Sequence, residues 1–264
     1  METNQYLIDF YNSYDEDSRL SALKHGTVEF LTTMRYIEKY IRQGDRVLEI
    51  GAATGRYSHT LARQGYTVDA VELVEHNIEV FRNNTLPDEK ITVMQGNALD
   101  LSAFPDDKYD ITLLLGPLYH LYNDEDKRQA LSEAIRVTKQ GGVIFAAYVI
   151  SDGSLIDEGF RLGGFSVAEY IKNGLLDPET FAATSEPKDL FELVRKEDID
   201  NLMSVFPVTR LHYVATDGCA RLIRDAIDNM DNYTFELFLK YHFATCERED
   251  LLGITSHSLD IFRK

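Results

Sequence analysis

Between residues 45 and 150 the chain alternates short apolar runs with longer amphipathic ones, and that rhythm limits what it can fold into. The apolar runs are Arg46–Ile50, Thr67–Leu73, Ile91–Gln95, Tyr109–Leu115 and Val143–Ile150. Helical spacing occupies Arg56–Gln64, Glu75–Asn83 and Asp124–Thr138, and a loop, Asn97–Asp107, joins the third run to the fourth. Runs this short and this rich in Val, Ile and Leu are strands. Strands that return through helices pair in parallel, by right-handed crossovers that leave helices on both faces of the sheet. The expected fold is therefore α/β, with a doubly wound sheet.

The flanks read differently. Residues 1–40 are expected to form a helical N-terminal cap, with Tyr6, Phe10, Tyr11 and Tyr14 close together and an amphipathic stretch from Val28 to Ile41. Gly44-Asp45 breaks it before the first strand, and 45–150 forms the core. Residues 151–205 carry Gly153, Gly159 and Gly163-Gly164 and short helical patches, Val167–Asn173 and Asp189–Met203, and read as a helical insertion. The C-terminal part, 206–264, is expected to hold a strand over Val208–Ala215, helices over Ala220–Asp228 and Thr234–Cys246, and an edge strand over Ser256–Phe262. At 264 residues with no convincing linker, one elaborated domain is the simplest organisation.

Charge narrows the partners. Lys and Arg number 27 against 44 acidic residues, a formal −17. Nucleic-acid binding draws on cationic contacts to phosphate, and this surface repels a polyanion, so a small molecule is the better substrate. Cys219 and Cys246 match no metal spacing, the seven His residues are scattered, and no metal is indicated. With no long apolar run and no leader pattern, the chain reads as cytoplasmic, neither spanning a membrane nor secreted.

The turn after the first strand, Val47-Leu48-Glu49-Ile50-Gly51-Ala52-Ala53-Thr54-Gly55-Arg56, is stripped of bulk, as where a ligand approaches the backbone closely. A dinucleotide fingerprint requires a third glycine where Arg56 stands, and no Gly-Lys-Ser/Thr follows for a phosphate loop. The pattern Glu49-x-Gly51-x-Ala53-x-Gly55 instead resembles motif I of the class I S-adenosylmethionine-dependent methyltransferases, E/D-x-G-x-G-x-G, with Ala53 in place of the middle glycine. Four more elements follow in the family's order. Val71-Glu72-Leu73 ends strand two, with Glu72 21 residues beyond Gly51. Gly96-Asn97-Ala98-Leu99-Asp100 resembles the G-D-A-x-D loop, with Asn97 at its acidic position. Tyr109-Asp110 resembles the F/Y-D of strand four, and Leu131–Gly142 the helix and L-K-P-G-G turn, without its proline.

The resemblance implies a Rossmann-like, doubly wound, seven-stranded mixed sheet whose last strand, Ser256–Lys264, is antiparallel, and it implies S-adenosyl-L-methionine as cofactor. Glu49, Gly51, Ala52, Ala53 and Gly55 would admit and orient its amino-acid tail. Glu72 would meet the ribose hydroxyls and Asn97 the adenine amino group, with Leu73, Ala98, Leu115 and Gly116 also at the cofactor site. In the segment YNSYDEDSRL, which resembles the family's cap helices and includes Tyr11, Tyr14 and Arg19, the Tyr rings, Tyr14 among them, would shield the sulfonium by cation–π contact, core packing being an equal account of them. Past strand four, Leu115-Gly116-Pro117-Leu118-Tyr119-His120-Leu121 departs from the N/D-P-P-Y motif of amino-methylating nucleic-acid enzymes. It is similar to the V-L-H-H-L segment of small-molecule methyltransferases, in which His120 matches the second histidine. Tyr119 and His120 are thus the candidate catalytic residues, His120 either moving a proton near neutrality or serving only structurally. The implied activity is methyl transfer to N, O or C of a small molecule. Methylation of a protein or RNA group, and a cofactor-binding module without catalysis, stand as alternatives.

Overall fold

In a computed structural model that describes residues 2–14 and 23–264, the five core runs become parallel neighbours in one sheet. The strands are β1 (Arg46–Ile50), β2 (Thr67–Glu72), β3 (Ile91–Gln95), β4 (Tyr109–Leu114), β5 (Thr138–Ile150), β6 (Leu193–Val194), β7 (Thr209–Ala215) and β8 (His257–Arg263). Their order is β3-β2-β1-β4-β5-β8-β7, with the two-residue β6 beside the end of β5. Pairing is parallel from β3 to β5, whereas β8 runs antiparallel to both β5 and β7. The mixed sheet expected from the sequence is present, with β6 as an eighth, short strand.

Alternate residues of each strand feed two separate cores, because successive side chains point to opposite faces. Leu48, Ile50, Leu114, Ile144 and Ala146 pack with Ala130, Leu131, Ala134 and Val137 of the helix Asp124–Val137. On the other face Val47, Val68, Ile111, Leu113 and Phe145 meet Met34 and Ile37 of helix Lys24–Tyr40 and Leu61 of helix Arg56–Arg63. Burial on both sides is why these strands read as continuous apolar runs.

Two expectations fail in the C-terminal half. The last strand is not at an edge: β8 lies between β5 and β7. Its polar residues Ser258 and Asp260 are fully buried and paired. Arg210 of β7 grips Asp260 with two bonds of 2.7 and 2.8 Å, and the Tyr213 hydroxyl donates to Ser258 at 3.1 Å. The patch Asp189–Met203 is not one helix either. Helix Lys196–Met203 is preceded by β6, which takes up open backbone groups of β5. Among the described residues the cap contains helix Glu2–Tyr11, and Arg19 lies outside them.

The insertion is tied down at two places. Asp157, fully buried, receives Arg161 at 2.6 Å and Arg221 at 3.4 Å, together with Arg224. Gly153 passes so close to the Thr255 carbonyl that no Cβ could stand there. Next to that contact, Asp217 organises the entry to β8. It accepts the backbone N–H of Ser256 at 2.9 Å and of His257 at 3.1 Å, His257 Nδ1 at 2.8 Å, and the Thr255 hydroxyl. Burial pushes its carboxyl up, but these donors outweigh that and hold it below the usual carboxylate range. Asp217→Ala would leave several buried donors unpaired and should cost about 3 kcal/mol in urea unfolding. Because the folded-state value is depressed, the stabilisation by Asp217 should be present at neutral pH and fall away only as the pH drops below the ordinary aspartate value of 3.8.

Candidate functional site

The strand order reverses between β1 and β4, and the crevice at the carboxyl ends of such strands is where ligands bind in open α/β sheets. The turn that floors it is left-handed three times, at Gly51 (φ +74°), Ala53 (φ +47°) and Gly55 (φ +88°). A Cβ on Gly51 would stand 2.6 Å from Cδ of Pro117, and one on Gly55 would collide with the Phe81 ring. Ala53 adopts a conformation that costs an L residue about 1–2 kcal/mol, so a restraint must hold it. That restraint is Glu72, whose Oε2 accepts the Ala53 N–H at 2.8 Å. The other oxygen of Glu72 accepts the Val74 N–H at 2.9 Å and Asn77 Nδ2 at 3.3 Å.

Two carboxylates therefore meet at this floor. Glu49, 2% exposed at the end of β1, accepts the Ser58 N–H at 2.9 Å and the Ser58 hydroxyl. Burial, with the nearby charge of Glu72 in support, pushes the Glu49 carboxyl up to about 8 despite those bonds. Burial likewise raises Glu72 against its three donors. A pair of buried acids of raised pKa is a site prepared for a cation.

The cleft has a volume of about 320 Å³. Glu49, Gly51, Ala52, Ala53, Glu72, Leu73, Asn97, Ala98, Leu115, Gly116, Tyr119 and His120 all line it. Gly55 does not line it but shapes its floor. Asn97 Oδ1 accepts the Leu99 N–H at 3.0 Å, closing a local turn, so the oxygen expected to face outward is already engaged. Tyr14 lies elsewhere: it stacks on Phe10 at 4.8 Å and lines a second cavity. Tyr11, one helical turn earlier, is the cap ring in the cleft. Sequence reasoning also passed over Asn77 and Leu7, which line the cleft. The acidic run after Asn123 starts the helix Asp124–Val137, where Asn123 Oδ1 accepts the Asp126 N–H at 2.8 Å.

The second cavity, about 420 Å³, adjoins the first, and Tyr11 and Tyr119 line both. His120 sits at the junction. Its Nδ1–H donates to the Leu190 carbonyl at 2.8 Å, which leaves Nε2 as an acceptor for the Tyr11 hydroxyl at 3.2 Å. Burial pushes His120 down to about 4 although the Leu190 bond works the other way. The ring is neutral at physiological pH and a weak base. Among the described residues no group of His, Cys, Asp and Glu has the geometry to hold a metal ion. Nor is any helix among them long and apolar enough to cross a membrane.

The raised Glu49 pKa gives a signed expectation. The folded state holds a proton on Glu49 that the unfolded chain releases above 4.5, so this contribution to stability is lost as the pH rises toward about 8. Glu49→Gln, which keeps the acceptor without the charge, should gain stability relative to wild type across that interval, as read by urea unfolding at a series of pH values. Parallel curves would mean that Glu49 titrates normally.

Comparison with known proteins places these features. A family model described as a methyltransferase domain matches residues 48–146, the stretch from β1 into β5. A demethylmenaquinone methyltransferase of Clavibacter sepedonicus is 29% identical over 153 residues, covering 57% of this chain and 60% of the relative. A glycine/sarcosine N-methyltransferase of Aphanothece halophytica is 27% identical over 161 residues, covering 60% and 58%. The chain thus spans about three fifths of the length of these curated relatives. In overall fold it is similar to an S-adenosylmethionine-dependent methyltransferase of Thermotoga maritima, with a TM-score of 0.56 at 18% identity over 99% of both chains. The motif order, the sheet order and the family model agree over residues 48–146, so this core is similar to a methyltransferase domain and the chain has the fold of the S-adenosylmethionine-dependent methyltransferases.

Proposed function

We propose that the protein transfers a methyl group from S-adenosylmethionine to a small-molecule acceptor held in the second cavity. One observation carries this reading: Tyr11 and Tyr119 form a wall common to both cavities, so a cofactor in one and an acceptor in the other meet at a single place. A binding module without catalysis has no need of an adjoining cavity, and the formal charge of −17 disfavours RNA as acceptor.

The residues present fit the cofactor. The left-handed turn, which bears no side chain larger than a methyl at 51, 53 or 55, leaves room for an amino-acid tail. A cationic ligand would favour the charged forms of Glu49 and Glu72, both raised by burial, and Glu72 could then accept the vicinal hydroxyls of the ribose. Ala98, Leu99 and Leu115 give apolar walls for adenine beside Asn97. When bound, the cofactor supplies a methyl group on a positively charged sulfur. The protein then has to align a lone pair of the acceptor with that methyl and keep water out. Tyr119, whose hydroxyl donates to the Leu115 carbonyl at 3.0 Å, is held rigidly for that alignment. His120, too weak a base to take a proton at neutrality, positions the Tyr11 ring.

Calorimetric titration tests the cofactor assignment: S-adenosylmethionine and S-adenosylhomocysteine should bind and NAD should not. Binding of NAD alone would overturn it. Glu72→Ala should weaken S-adenosylhomocysteine by about 2 kcal/mol, the scale of a lost pair of charge-assisted bonds. Unchanged affinity would remove Glu72 from the site. His120→Ala should leave that affinity nearly intact while lowering turnover of labelled methyl into an acceptor. The wild-type pH–rate profile should lack a histidine limb near 6.5, because burial keeps this ring neutral down to about 4. An inflection near 6.5 that disappears in His120→Ala would make His120 the proton carrier instead.

A further inference from the structure

The second cavity specifies more than size. Its walls are predominantly aromatic and aliphatic: Phe10, Tyr14, Phe165, Tyr170 and Phe191 contribute rings, with Phe10 and Phe191 edge to face at 6.5 Å. Its polar residues carry a particular sign. Glu158 and Asp189 are the lining carboxylates, and Arg221 is the lining guanidinium. That guanidinium is already engaged, donating from Nη2 to Glu158 at 3.1 Å and from Nε to the buried Asp157 at 3.4 Å. His257, also in the lining, gives its Nδ1–H to Asp217 at 2.8 Å, so its Nε2 is an acceptor when the ring is neutral. Ser151, 3% exposed, lines the same cavity, and its buried Oγ has no hydrogen-bond partner among the described residues. Such an orphaned hydroxyl is rare in a folded interior.

Aromatic rings joined to carboxylates recognise an ammonium group, since each ring face attracts a cation and each carboxylate accepts its N–H donors. Glu158 and Arg221 pair with each other at 3.1 Å, so with Asp189 the lining groups leave an excess of negative charge that disfavours an anionic head group. We infer that the acceptor is an aromatic amine that carries a cationic ammonium head, seated in the second cavity with its head toward Glu158 and Ser151 and its ring toward Tyr11 and Tyr119. This rests on the assignment of the first cavity to the cofactor.

Three probes share an indole body and differ in the charge of the head: tryptamine, tryptophol and indole-3-propionate. Each is titrated calorimetrically into protein saturated with S-adenosylhomocysteine. Tryptamine should bind at least about tenfold tighter than tryptophol, the worth of one charge-assisted contact, with indole-3-propionate weakest. Ser151→Ala removes a hydroxyl that holds no partner among the described residues, so it should fold as wild type and weaken tryptamine about fivefold, the scale of one hydrogen bond. Glu158→Gln should abolish the preference for tryptamine over tryptophol while leaving S-adenosylhomocysteine affinity unchanged. If Glu158→Gln does not fold, Ser151→Ala alone decides. Equal or tighter binding of either uncharged or anionic probe would overturn the proposal. So would binding of none of the three to protein that does bind S-adenosylhomocysteine, or tryptamine affinity untouched by Ser151→Ala. Failure of S-adenosylhomocysteine itself to bind would instead overturn the cofactor assignment, and the proposal with it.

Discussion

The bond from the Ala53 N–H to the Glu72 carboxylate is the contact on which the rest of the site depends. It crosses from the turn after β1 to the end of β2 and holds a non-glycine residue in left-handed backbone. It acts with the bonds from the Gly51 and Ala52 N–H groups to the Val71 carbonyl, at 2.8 and 3.0 Å, to keep the shape that opens the cleft. The same carboxylate gathers Val74 and Asn77, so the start of the helix Glu75–Asn84 is set from the same point. Such a buried carboxylate is costly to desolvate, and its donors offset that cost only in part, which is why its pKa is raised. A ligand that brings positive charge completes what the protein leaves half-neutralised.

Glu49 extends the argument. It stands two residues before Gly51 and takes its bonds from Ser58 at the start of the following helix, so strand, turn and helix are joined through carboxylates at both ends of the turn. Stability and ligand binding pull against each other here: charge that serves a bound cation burdens the folded chain without one. Sites that pair buried acids in this way are where perturbed pKa values and function coincide.

How much of this was legible beforehand depended on whether a residue acts locally. The five core strands, the turn and Glu72 were readable because strand periodicity and a short spacing carry them. Tyr11 and Tyr14 are not separable in the sequence because they stand within one helical turn of each other, and only the docking of the helix Glu2–Tyr11 on His120 decides which ring enters the cleft. The last strand is expected at an edge, yet its polar residues Ser258 and Asp260 lie inside the sheet. Partners from β7 bury them, and those partners lie some 50 residues away in sequence, at Arg210 and Tyr213. The second cavity was invisible for the same reason, being assembled from the cap, the insertion and the start of β8.

The passage of Gly153 against the Thr255 carbonyl has a consequence for how this protein could change. Main chain touches main chain there, so the base of the second cavity near Ser151 and Ser256 is placed by backbone rather than by interlocking side chains. Rings and carboxylates around it can then be exchanged without moving that base. A lineage could pass from one acceptor to another by altering single walls, while the glycine itself stays closed to substitution. The same chamber would be refurnished rather than rebuilt.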